Sequence, residues 1–210
     1  MIHNGVLMDK LSNSTEEIKN ELRNKFDLKN KIVIGTVARF IDWKGHKILL
    51  EVAEKAIQQN PNIVFLFTGQ GELRPEIERI IHEKKLSQNI ILTGYIERKQ
   101  IPSLYSIMDI YIHAARYEPF GFVIAEAMLN SIPVLSTKTG AAMDAIQHKE
   151  NGYLVDYDDD AGFVEGIQFL LNADRKKIGE KGKATAIEMY NFEKMWERYL
   201  NLYQKAMSEK

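Results

Sequence analysis

KIVIGTVARFIDWKGHKILLEVAEKAIQQ, residues 31–59, is the stretch that decides the fold. Residues 31–38 (KIVIGTVA) are apolar and β-branched with no polar alternation, the pattern of a strand buried on both faces. Residues 44–59 then set Ile48, Leu49, Val52, Ala53, Ala56 and Ile57 on one helical face. The same pairing recurs outward from this unit. Strand-like runs stand at 62–68 (NIVFLFT), 89–93 (NIILT), 110–113 (IYIH), 133–136 (PVLS) and 152–155 (GYLV). Helical patterns lie between them: Leu73, Ile77, Ile80 and Ile81 within 72–85, and 122–129, apolar apart from Glu126. This alternation predicts an α/β fold, a doubly wound parallel six-stranded sheet with helices on both faces and right-handed crossovers.

Both ends fall outside the alternation. Residues 1–30 hold a turn at Asn4-Gly5 and a helical pattern starting near Ser14, with Glu16 and Glu17 in its first turn. Residues 160–208 read as two or three helices, broken at Asn191. In the last, Met195, Trp196, Tyr199, Leu200 and Tyr203 form a stripe expected to dock on the core. The acidic run Asp158-Asp159-Asp160 is expected to open a helix rather than to hold a metal. The organisation expected is a leading segment 1–30, a main domain 31–190 and a closing helix 191–210.

Bulk properties exclude several classes. The 210 residues are 45% hydrophobic and 27% charged, enough for one globular domain with a sizeable core. Lys and Arg number 28 against 29 Asp and Glu, so there is no basic excess of the kind that marks nucleic-acid binding. With no Cys, disulfides and thiolate metal sites are excluded, and a reducing compartment is the simple reading. No apolar run approaches the roughly 18 residues of a membrane span, and nothing at the N-terminus resembles a signal peptide. The cytoplasm is the expected location.

Open α/β sheets bind ligands at the carboxyl ends of their strands. The loops at those ends are rich in Gly and charge, whereas the opposite turns (NPN at 60–62, SQN at 87–89) are plain. After the first strand, Arg39 and Lys44 stand where a helix begins, an arrangement suited to a doubly charged anion. A solvated pair of charges is the competing reading. After the second strand, Thr68-Gly69-Gln70-Gly71 brings bare backbone within a ligand's reach. No G-x-G-x-x-G follows the first strand, which disfavours nicotinamide dinucleotides. Residues 117–128 (YEPFGFVIAEAM) place Glu118 and Glu126 eight positions apart, with Pro119 and Gly121 between. Gly121 opens a helix whose first amides favour an anion. Glu126, on an apolar helix, needs hydrogen-bond donors, either sugar hydroxyls or a protein cation.

That segment resembles the E-x7-E motif of retaining GT-B glycosyltransferases, in the large group 1 (family 4) class of sugar transferases. ARFIDWKGH resembles the family's GR-x4-KG pair, TGQGELR its G-x-G-x-L-R turn, and ILTGYI its strand–glycine–aromatic segment. IPSLYSIMDIYIHAA and ENGYLV resemble later family segments. The resemblance covers about residues 1–205 and implies a Rossmann-like domain, the C-terminal half of a GT-B fold. It implies that Arg39 and Lys44 hold a donor pyrophosphate. Phe120, Gly121 and Phe122 would offer amides, and Glu118 would contact the transferred sugar. Glu126 would accept from ribose hydroxyls, Tyr95 and Ile96 would lie by the base, and Ile124 would pack near the ribose. Gly69 would line the nucleotide cleft.

The implied donor is a UDP-, GDP- or ADP-linked sugar, with no metal and no other cofactor. A hexose would pass to an unknown acceptor in polysaccharide or glycolipid synthesis, with retention. Two departures stand out: His113-Ala114-Ala115-Arg116 replaces a Pro-Ser, and Gly140-Ala141-Ala142-Met143-Asp144 softens a G-G-x-x-E turn. His113 reads as packing or a satisfied hydrogen bond, with a sugar contact as the alternative. Ile2-His3-Asn4-Gly5-Val6 resembles the segment after the interdomain linker, so the acceptor domain is expected to be missing, and with it any peripheral membrane contact; helix 192–207 resembles the family's terminal helix, which packs back toward that domain, so partial exposure of its apolar residues is the alternative to docking on the core. The alternatives are a stand-alone nucleotide-sugar-binding module serving a separate acceptor protein, or half of a nucleotide-sugar epimerase.

Overall fold

The computed structural model describes residues 4–6 and 15–208. Six strands form one sheet: β1 (Ile32–Val37), β2 (Ile63–Thr68), β3 (Ile90–Gly94), β4 (Ile110–His113), β5 (Val134–Thr137) and β6 (Tyr153–Val155). Their order is β3-β2-β1-β4-β5-β6, with every neighbouring pair parallel. All six runs expected from sequence are strands, displaced by one residue at most. β1 and β2 pair without a break from Ile32 opposite Ile63 to Val37 opposite Thr68.

Side-chain alternation divides the core between two faces. Ile34, Phe65, Phe67 and Ile112 point to one layer. It contains α2 (His46–Gln59), α3 (Arg74–Glu83) and α7 (Asp160–Asn172). Val33, Val64, Leu66 and Tyr111 point to the other. There lie α1 (Glu16–Lys25), α4 (Ile101–Tyr105), α5 (Phe122–Leu129), α6 (Gly140–Ala145) and α8 (Arg175–Met189). With both faces covered, the strands carry no polar alternation.

Helix starts follow from capping chemistry. Thr15, Asp159 and Asp174 accept backbone amides of Ile18, Gly162 and Lys177 at 3.3, 2.8 and 3.1 Å. The Asp158–Asp160 run is therefore a helix start. Asn191 ends one helix and caps the next, α9 (Phe192–Ser208), accepting the Lys194 amide at 2.8 Å. The helix expected to start near Ser14 begins at Glu16 behind the Thr15 cap, with Glu16 and Glu17 in its first turn; Ser14 itself, and the Ile2 and His3 of the leading segment, lie outside the described residues. Val6 bridges to Asn191.

One expectation needs correction. The α9 stripe does not dock on the core, for no α9 residue is buried. Met195 and Tyr199 are half-covered, and Trp196, Leu200 and Tyr203 are exposed. The physical reason is sparse cover: the Gly5 amide meets Met195 Sδ at 3.0 Å, and Trp196, Leu200 and Tyr203 beyond it stay exposed.

The chain runs β1 to β3 in one direction across the sheet and β4 to β6 in the other. β1 and β4 are neighbours whose following segments diverge to opposite faces, which opens a crevice at their carboxyl ends.

Candidate functional site

The β1 side of the crevice is a tightly anchored loop. The Ala38 and Phe40 amides bond to the Thr68 and Gln70 carbonyls at 3.0 and 2.8 Å, and the Phe40 ring is fully buried. This turns Arg39 outward. It is exposed, and no acceptor or carboxylate holds it among the described residues. Asp42–Lys44 make one 3-10 turn, closed by Gly45 in the left-handed region at φ 75°. Gly45 packs on the Ala114 backbone beyond β4, and the Arg116 amide bonds to the Trp43 carbonyl at 2.8 Å. The two loops at the switch point are thus locked together.

The β4 side supplies Glu118. Its Oε2 accepts Lys44 Nζ at 2.6 Å, and both side chains are largely buried. Its Oε1 accepts the Gly121 amide at 3.3 Å. Gly121 is left-handed at φ 67°, and an added Cβ would lie 2.6 Å from Ala141 Cβ. Burial alone would raise the Glu118 pKa. The facing His113 imidazole and the Lys44 ammonium prevail and bring it down to about 2. The next amides, of Phe122, Val123 and Ile124, meet no acceptor among the described residues. Lys44, Glu118 and Gly121 are therefore brought together, with Arg39 in the same loop as Lys44. From sequence, Lys44 reads as an anion ligand or a solvated charge, and the first amides of the Gly121 helix as favouring an anion. Lys44 and the Gly121 amide are both engaged by Glu118, the nearest anion.

Glu126 is 5% exposed and settled by protein partners. Its Oε1 accepts Arg98 Nη2 and its Oε2 accepts Tyr105 Oη, each at 3.1 Å. Burial raises its pKa, and the Arg98 charge and the two hydrogen bonds oppose that rise. The Arg98 side chain is 85% exposed, so its guanidinium reaches the buried carboxylate from the solvent side. Arg98 was missed from sequence, because it lies in a polar run (ERKQ) with no pattern of its own. Tyr105 had a signal, as the tyrosine of IPSLYSIMDIYIHAA.

The remaining residues lie around this frame. Gly69 follows β2 at φ 146°, where a Cβ would overlap the Ala38 carbonyl oxygen. Tyr95 and Ile96 follow β3, two strands from β1, and no contact joins them to the Lys44–Glu118 pair. Tyr95 is exposed, and Ile96 is packed against the second core layer. Phe120 and Phe122 are exposed with their rings 6.0 Å apart, while Ile124 is fully buried. His113 is buried against Tyr111, ring centroids 6.4 Å apart. The hydrogen bond expected of it is not satisfied: its Nε2 has no well-formed partner and faces Glu118 Oε2 at 3.4 Å. His46, unremarked in the sequence, and Thr68, at the head of the glycine loop, also bury unpartnered polar atoms here.

A cavity of about 560 Å³ lies at the other end of the sheet, between α2 and α7 beside Ile32 and Ile63. It offers one cation, Arg175, and no carboxylate, so the charged chemistry sits in the switch-point crevice. Among the described residues no helix is long and apolar enough to cross a membrane.

Comparison with known proteins agrees with this geometry. The family of glycosyl transferases group 1 matches residues 18–185. A poly(ribitol-phosphate) alpha-N-acetylglucosaminyltransferase of Staphylococcus aureus (strain COL) is 29% identical over 175 residues, 81% of this chain and 35% of that protein. This chain spans between 35% and 54% of the first two curated relatives. The C-terminal domain of the group 1 protein LpcC from Francisella tularensis superposes with a TM-score of 0.77 at 26% identity, covering 89% of this chain and 99% of that one. S. aureus TarM, in a complex containing UDP, superposes with a TM-score of 0.78 at 26% identity, covering 83% of this chain and 36% of that one. A six-stranded doubly wound sheet, charged loops at its switch point and a matched span of this length together place the chain in the glycosyl transferases group 1 family, with the fold of the C-terminal domain of a GT-B enzyme.

Proposed function

We propose that this chain is the donor-binding half of a retaining, metal-independent hexosyltransferase, with residues 31–190 holding a nucleoside diphosphate sugar. The observation that carries the reading is the meeting of Lys44, Glu118 and the α5 amino end at the β1/β4 crevice, with Arg39 exposed in the loop that carries Lys44. UDP is the first nucleotide to test, because a relative of this fold is solved with it. Transfer breaks the anomeric carbon–oxygen bond, and the electron pair leaves on the diphosphate. Arg39, Lys44 and the helix amides stabilise that charge without a cation. The acceptor hydroxyl attacks the same face and gives its proton to the leaving phosphate. Glu118 holds hydroxyls of the moving sugar. Glu126 holds the ribose once Arg98 swings aside, Tyr95 and Ile96 flank the base, and Gly69, Phe120, Gly121, Phe122 and Ile124 shape the cleft.

The acceptor would be bound by a further domain, and the exposed α9 stripe is the surface it would cover. Isolated, the chain should bind donor weakly and transfer little. The absence of cysteine suits a cytoplasmic setting.

Titration calorimetry with UDP, GDP and ADP tests the phosphate site. Each charge-assisted hydrogen bond contributes about 1.5–3 kcal/mol, so Arg39→Ala and Lys44→Ala should each weaken the preferred nucleotide at least about tenfold. EDTA should change nothing. Unaltered affinity in both variants would overturn the assignment.

A further inference from the structure

We propose that His113 is a positioning residue for Glu118. When Lys44 turns from the carboxylate toward a donor phosphate, the His113 Nε2–H takes hold of Oε2 and keeps Glu118 aimed at the sugar. This rests on the donor-site reading above and adds to it a residue that the sequence left between packing, a hydrogen bond and a sugar contact.

The argument begins with competition for one ammonium. Lys44 Nζ lies 2.6 Å from Glu118 Oε2. A diphosphate beside Arg39 carries more charge than a carboxylate and draws the ammonium toward itself. An ammonium shared between two anions stands farther from each, so Glu118 loses its closest partner. Its side chain is only 12% exposed, and a carboxylate so covered is costly without a replacement donor. The Gly121 amide serves Oε1 at 3.3 Å and leaves Oε2 unheld.

One side chain stands ready at that oxygen. His113 Nε2 is 3.4 Å from Oε2, and the side chain is 1% exposed. That nitrogen has no other partner, and a buried polar atom with none calls for an explanation. The ring is held by its stack on Tyr111, and the His113 carbonyl at the end of β4 faces Thr137 Oγ1 at 3.4 Å. A movement of about 0.5 Å by the carboxylate closes the gap to an ordinary N–H···O distance near 2.9 Å. Burial lowers the imidazole pKa against the pull of Glu118, which favours the neutral form. Neutral imidazole has one N–H, and placing it on Nε2 avoids setting a lone pair against the carboxylate. A histidine serving only to fill space would fit this apolar strand end worse than a leucine, because its nitrogen must be desolvated.

A double-mutant cycle separates this role from packing. UDP-glucose affinity would be measured by calorimetry for the wild type, His113→Leu, Glu118→Gln and the double variant. The expected result is about tenfold weaker binding for His113→Leu in the native background and less than twofold in the Glu118→Gln background. His113→Gln, which restores a donor near the same place, should recover most of the loss. Equal losses in both backgrounds, or none in either, would overturn the proposal. In the wild type, the nitrogen spectrum of the histidine ring should show the proton on Nε2, and a bare Nε2 would overturn it without any variant. Binding of neither UDP nor UDP-glucose to the wild type would remove the donor-site reading itself. Binding without coupling between residues 113 and 118 would remove this inference alone.

Discussion

Between pH 7 and pH 4 this protein should lose about 3 kcal/mol of folding stability through one side chain, His46. The residue opens α2 with 1% of its surface exposed. Its ring lies edge-on to Phe40 and Phe67, with centroids 4.6 and 5.8 Å away. Neither ring nitrogen has a partner. Burial first, then the nearby His113 and the Lys44 charge, lower its pKa from 6.5 to about 4. The unfolded chain therefore binds a proton in a range where the folded one refuses it. The contribution is fully present above pH 6.5, shrinks as pH falls toward 4, and changes no further below. At about 1.36 kcal/mol per pH unit the window is worth about 3 kcal/mol. His46→Leu, similar in volume and without charge, should flatten the curve, so urea titrations of both proteins at pH 7 and pH 4 give the comparison. Parallel losses in wild type and variant would show that His46 does not carry the effect.

Gly45→Ala should cost about 3 kcal/mol and abolish nucleotide binding. Gly45 sits at φ 75°, where a side chain is strained by about 1–2 kcal/mol. The added Cβ would overlap the Ala114 carbonyl oxygen and come within 2.9 Å of Ala114 Cβ. The obstruction is backbone rather than a flexible side-chain end, so the loop carrying Lys44 must lift away from β4. Gly140→Ala is the control. Nothing lies within 4 Å of its added Cβ, and it stands in a helix, where alanine is favoured. Denaturant midpoints should fall for the first and hold or rise for the second. A Gly45→Ala protein with an unchanged midpoint and unchanged UDP affinity would show that the loop tolerates displacement.

The sheet was legible because strands covered on both faces must be apolar throughout, so β1 to β6 announce themselves as short runs. The capping residues were legible too: Asp159 and Asn191 mark helix starts by chemistry that local sequence carries. Pairings between distant loops were not. Lys44 and Glu118 are 74 positions apart, and Arg98 and Glu126 are 28 apart. Nothing local says which cation meets which carboxylate. The α9 stripe left docking and partial exposure both open, because an apolar helical face reports that something covers it, not what does; the exposed reading is the one that holds. His46 passed unnoticed because a histidine at a helix start reads as polar surface until the packing of Phe40 and Phe67 around it is seen.

The central claim is that a diphosphate lies between the Arg39–Lys44 loop and the amino end of α5. Amide chemical shifts followed while UDP is added to the nitrogen-labelled chain test it most directly. Saturable shifts should concentrate at 39–45 and 121–124 and need at least about tenfold more UDP in Arg39→Ala. Shifts confined to the α2–α7 cavity, or none at either loop, would contradict it.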